Sequence, residues 1–107
     1  MTLNEYQKIA MQTAVFPAEP SLDGVPIYPF LGLVGEAGEL AEKLKKGIRD
    51  GQFDETGAVK ELGDVLWYVS AVANALGVEL EMVAELNIAK LHSRMKRGAI
   101  RGSGDDR

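Results

Sequence analysis

All four prolines of this 107-residue chain fall between residues 17 and 29. Proline lacks a backbone donor and is excluded from helix interiors and central strands alike. The stretch "FPAEPSLDGVPIYP", which also holds an Asp-Gly, therefore reads as an ordered loop and not as a strand. A loop of this length within a compact domain is uncommon and is often functional. The proline-free remainder, from residue 30 onward, places its apolar residues at helical spacing.

Helix boundaries follow from capping chemistry. Thr2 with Glu5 fits a capping box, and Leu3, Tyr6, Ile9, Ala10 and Thr13 continue a first helix to about Ala14. A second helix is expected from Phe30 to Ile48, with Gly47 and "RDGQFD" marking its end. A third runs from Gly57 to Leu76, capped by Asp54 or Thr56 and stopped at Gly77. A fourth covers Leu80 to Lys96. The closing "RGAIRGSGDDR" is glycine-rich and charged; Gly102 and Gly104 allow backbone to approach a ligand, although a flexible end is the default for such a segment. No stretch reads as a strand. The expected fold is all-α, four helices in one domain spanning residues 1–107. A domain of this size buries only about 60–70% of its unfolded surface, so a second copy is expected to complete the bundle.

Composition removes several function classes. The chain has 46% hydrophobic and 26% charged residues, a net charge of −4 and no cysteine. Disulfides and thiolate metal sites are excluded, and a broad nucleic-acid surface lacks its basic field. No apolar run is long enough to span a membrane. The opening "MTLNEYQKIA" lacks the basic and apolar regions of an export leader, so a cytoplasmic location is expected.

The second and third helices share an unusual layout. At about 100° per residue with Glu36 at zero, Leu33, Val34, Ala37, Leu40, Ala41, Leu44 and Ile48 fall between roughly 40° and 160°. Glu39 falls at about 300°, with Lys43 at about 340° and Lys46 at about 280° on the same stripe. With Glu61 at zero, Val59, Leu62, Val65, Leu66, Val69, Val72, Ala73 and Leu76 fall between about 20° and 160°, Asp64 at about 300° and Tyr68 at about 340°. Two acidic pairs, Glu36/Glu39 and Glu61/Asp64, thus border two apolar arcs in the same phase. Helices packed antiparallel across those arcs would bring four carboxylates together. Four such groups repel and take up protons unless a hard divalent cation joins them; Mg²⁺ or Mn²⁺ suits oxygen donors and substrate phosphates. The plainer reading is a pair of solvated helix faces, with Glu39 and Lys43 as an i,i+4 pair. A di-iron bundle needs Glu-x-x-His on two helices, and the lone histidine, His92, follows Ala89 by three, which leaves it a surface or interface residue. Gly35 and Gly38, poor helix formers beside the acids, are expected to allow close helix packing around them.

On the fourth helix, with Asn87 at zero, Lys90 falls at about 300°, Arg94 at about 340° and Arg97 at about 280°. This basic stripe is either a solvated face or a phosphate clamp. On the third helix, Trp67 falls at about 240°, outside the core arc, and suits a core edge or a subunit contact. Tyr68 shares the acidic stripe and either stacks on a base or simply packs.

These segments resemble a known family. Glu36-x-x-Glu39, 21 intervening residues and Glu61-x-x-Asp64 are similar to the signature of MazG-like nucleoside triphosphate pyrophosphohydrolases, of the all-α NTP pyrophosphatase superfamily. "LGLVGEAGELAEKLKK", "KELGDVLWYV" and "NIAKLHSR" resemble consecutive helices of that family in order, and "YQKIAMQTAVFP" and "RGSGDD" extend the likeness over most of residues 5–107. The resemblance implies cleavage between the α- and β-phosphates of a nucleoside triphosphate, giving a monophosphate and pyrophosphate, in a homodimer or homotetramer. It implies Glu36, Glu39, Glu61 and Asp64 as metal-binding acids. Asn87 and Lys90 match positions near the substrate, followed by Arg94 and Tyr68, with Lys43 or Lys46 as further phosphate contacts. The long proline loop is less typical of the family. A non-catalytic nucleotide-binding or helical interaction module is the competing class.

Overall fold

The computed structural model describes all 107 residues. Four helices account for most of them: α1 Leu3–Met11, α2 Tyr28–Asp50, α3 Glu55–Ala75 and α4 Leu80–Lys96. Thr2 closes a full capping box with Glu5 at the start of α1. The second helix starts earlier than its sequence pattern suggests, because Pro29 sits in the first turn, where no N–H is needed. It also runs through Gly47 and stops only at Gly51, whose φ of 74° is the left-handed C-cap. Asp54 caps α3 by accepting the Gly57 N–H at 2.9 Å. Gly77, at φ 73°, follows its end.

The proline loop is not wholly irregular. Ser21–Leu22 (β1) pairs antiparallel with Val25–Pro26 (β2) across Asp23 and Gly24. Both turn residues have positive φ, 50° and 79°, as an Asp-Gly hairpin turn requires. The expectation of no strand is corrected to this extent. Pro26 argues against a strand interior, but it occupies the end of a two-residue edge, where proline is tolerated.

α2 and α3 form an antiparallel hairpin whose seam differs from the one expected. Tyr68 lies against Gly32, Asp64 and Glu61 face Glu36, Asp54 pairs with Lys43, and Phe53 lies against Gly47. These partners follow the acidic stripe and its border, not the middle of the apolar arcs. Val34, Leu44 and Ile48 of α2 and Val59 and Leu62 of α3 consequently remain exposed. Periodicity identifies which face is apolar; it does not say what covers it. Only nine residues are buried, among them Ala58, Ser70, Ala71 and Ala73 of α3, and Leu80. Small side chains there allow α1 and α4 to come close.

α1 holds the bundle together through polar contacts. The start of α4 has no side-chain cap of its own. Instead the buried Gln7 accepts the Leu80 N–H at 2.8 Å and donates to the Val78 carbonyl at 3.1 Å. Asn4 accepts the Glu81 N–H at 3.0 Å. Two residues three apart on α1 thus satisfy orphan groups at the end of another helix. At the other end of α1, the Trp67 indole donates to the Ala10 carbonyl and to Thr13 Oγ1.

Candidate metal centre

The α2–α3 seam brings Glu36, Glu61 and Asp64 together. One carboxylate oxygen from each lies within 4.8 Å of the others. Helix geometry accounts for this: Glu61 and Asp64 are three apart on one face of α3, and Glu36 sits opposite them across the antiparallel pair. Burial raises the Glu36 carboxyl above its ordinary value, and Asp64, Glu61 and Glu39 raise it further. Every charge that shifts it is another carboxylate. Glu39 contributes to that field but lies outside the convergent set and is exposed.

The donor set fits a hard divalent cation. Three anionic oxygens converge with no ammonium or guanidinium among the groups that shift Glu36. Carboxylate oxygens are the ligands that Mg²⁺ and Mn²⁺ prefer.

An aromatic wall borders the acids. The Tyr68 ring fills the space above Gly32, where a Cβ would overlap it. It meets Trp67 edge-on at 4.9 Å. Phe16, from the proline loop, stacks on Tyr28 at 5.7 Å and contacts Trp67 edge-on. Burial raises the Tyr68 phenol, and the neighbouring Tyr28, Glu36 and Asp64 raise it further. On α1, burial and the Asp64 charge raise Tyr6 in the same direction. Sequence pattern did not single out Tyr6, Phe16 or Tyr28 as site residues. The one available signal was the ordered loop itself, whose ends carry Phe16 and Tyr28.

Of the residues expected to contact phosphate, Lys43, Lys90 and Arg94 are paired with carboxylates of the chain itself. Lys43 donates to Asp54 at 3.2 Å, tying α2 to the cap of α3. Lys46 is exposed and acts on Glu42 and Asp50, whose carboxyls are lowered chiefly by Lys45 and Arg49. Asn87 lies beside Leu3, Leu66, Leu80, Val83 and Ala84 in an apolar hollow between α1, α3 and α4. Lys90 and Arg94 are engaged by Asp105 of the closing segment. Lys90 above all, then Arg94, holds the Asp105 carboxyl below its usual range. Gly35 and Gly38 face open space, so the close approach expected of them belongs instead to Gly32 and Gly47. His92 is exposed. No helix is long and apolar enough to cross a membrane.

The chain is 45% identical to "Gene 37 protein" of Mycobacterium phage L5, with both chains covered end to end. No solved structure matches it. Residues 30–99, which include α2 from its third residue, α3, α4 and the acidic set, match the family model described as MazG nucleotide pyrophosphohydrolase domain. With that match spanning well over half its length, the chain belongs to the MazG nucleotide pyrophosphohydrolase family.

Proposed function

We propose that the protein hydrolyses nucleoside triphosphates between the α- and β-phosphates, releasing a nucleoside monophosphate and pyrophosphate in a Mg²⁺-dependent reaction. The convergence of Glu36, Glu61 and Asp64 carries this reading. These three side chains would hold the divalent ion, with Mn²⁺ as a substitute. When bound, such an ion offsets charge on triphosphate oxygens and lowers the pKa of a coordinated water. Glu39, one turn from Glu36 and outside the convergent set, would be the carboxylate that accepts the proton of the attacking water. The water oxygen joins one phosphorus as the bridging oxygen leaves with the other. Tyr68 and the aromatic wall offer a flat apolar surface beside the acids against which a base can stack. Lys90, Arg94 and Asn87 supply phosphate contacts from α4, and Lys43 and Lys46 extend the positive field along α2. A role in clearing unwanted nucleotides from the pool fits this chemistry.

A second copy belongs to the same proposal. A compact monomer of 11.6 kDa exposes about 5,800 Å², whereas this chain exposes 7833 Å². Its radius of gyration is 16.5 Å, against about 13 Å for a compact domain of this length. The excess of about 2,000 Å² per chain, about 4,000 Å² for a pair, is on the scale of an obligate homodimer interface. The uncovered arcs of α2 and α3 supply apolar surface for it.

The deciding experiment is pyrophosphate release from a panel of triphosphates with Mg²⁺ or with chelator. Release that depends on Mg²⁺ and falls by at least about 100-fold in Asp64→Ala and Glu61→Ala supports the proposal, on the scale of losing a group central to charge stabilisation. Turnover that survives either substitution rejects the assignment. Triphosphate binding without turnover would make the protein a nucleotide-binding module.

A further inference from the structure

After α4 the chain turns back on itself. Arg107 donates to the carbonyls of Ala99 and Ile100 through Nε and Nη2, at 3.0 and 3.1 Å, and to that of Gly104 through Nη1 at 2.6 Å. Arg97 donates to the main-chain oxygen of Arg107 at 2.6 Å. Gly104, at φ 82°, takes a backbone conformation that a side chain would strain. A Cβ at Gly102 would press on the Arg107 side chain at 2.8 Å. The segment from 99 to 107 is therefore a stapled return, and it delivers Asp105 onto α4.

One oxygen of Asp105 receives both cations, Lys90 Nζ at 3.0 Å and Arg94 Nη2 at 3.4 Å. Arg94 Nη2 also donates to the main-chain oxygens of Asp105 at 2.9 Å and Gly104 at 3.3 Å. The exposures are unequal: the Arg94 side chain is 6% exposed and the Asp105 side chain 84%. The segment buries the guanidinium without burying its own carboxylate. Arg94 Nε is left buried with no hydrogen-bond partner. A lysine and an arginine converging on one anionic oxygen form the contact that a phosphate oxygen makes. The carboxylate leaves part of that donor set unused, which a tetrahedral anion with more oxygens can engage.

We propose that Asp105 is an internal competitor, its carboxylate holding the Lys90–Arg94 anion site in the free protein until a phosphate-class anion displaces the 99–107 segment. This rests on the reading of α4 as the phosphate-contacting helix, but not on turnover. The Lys90–Asp105 pair is exposed on both sides, and exposed ion pairs change an equilibrium by up to about fivefold, so the carboxylate tunes access without blocking it.

Calorimetric titration of the full chain and of Asp105→Asn with inorganic pyrophosphate, in metal-free buffer, tests the competition directly. Pyrophosphate is expected to bind the variant about three- to fivefold more tightly. Equal or weaker binding by the variant, or no binding by either protein, overturns the proposal. Amide hydrogen exchange of the unmodified protein gives a second test. Residues 99–107 should exchange faster at saturating pyrophosphate, and unchanged protection there overturns displacement. A failure of the catalytic reading appears separately, as absent pyrophosphate release from triphosphates.

Discussion

At Glu36, burial and three neighbouring carboxylates all favour the protonated form. The native state therefore binds this proton more tightly than the unfolded chain does, and the group's contribution to stability falls as pH rises through its raised value. Without metal, Glu36→Gln is expected to melt higher than the parent at pH near 7, and the gain should vanish below about pH 4, where both side chains are neutral. Paired melting curves across that range in chelator check it; adding Mg²⁺ should reverse the order at neutral pH. The glycines make a second contrast at this scale. Gly32→Ala forces the Tyr68 ring off its seat, an overpacking that costs about 1–3 kcal/mol and lowers the midpoint of urea unfolding. Gly38→Ala meets open space and should stabilise α2 by up to about 1 kcal/mol, its gain in helix propensity.

Among the elements, capping chemistry translated well from sequence to structure. The Thr2–Glu5 box, the Asp54 cap and the stop at Gly77 depend on residues within a turn of one another, so neighbours in sequence suffice to specify them. The cap on α4 does not, because its acceptor is Gln7, more than seventy residues earlier. Nothing in the local pattern of Val78 to Glu81 points to α1. Gln7→Ala is accordingly expected to cost about 1–3 kcal/mol, since it strands a buried N–H and exposes a carbonyl to a new cavity; chemical denaturation of the variant measures the loss. The acidic set lies between these cases. Helical phase put Glu61 and Asp64 on one face and Glu36 on the matching face of α2. The seam that joins them runs along the acidic stripe, with Tyr68 seated on Gly32, and not across the apolar arcs, which face outward; helical phase gives the direction of each face but not which face a neighbour covers.

As a whole the molecule is more open than its length calls for, with apolar arcs of α2 and α3 facing outward. Light scattering at micromolar concentration should give at least twice the monomer mass. Leu62→Glu, which places a charge on the exposed arc without disturbing the α2–α3 seam, should shift the protein toward monomer; a monomer mass for the unmodified protein would remove the proposed second copy. One side chain links the end of α1 to the aromatic wall beside the acids. Trp67 is the chain's sole tryptophan; its N–H is held by the end of α1 and its ring abuts Tyr68 beside Glu36. Its emission colour and quenching form a built-in optical gauge, so unfolding of α1 and ligand entry at the acids are both readable as light from one dye that needs no labelling.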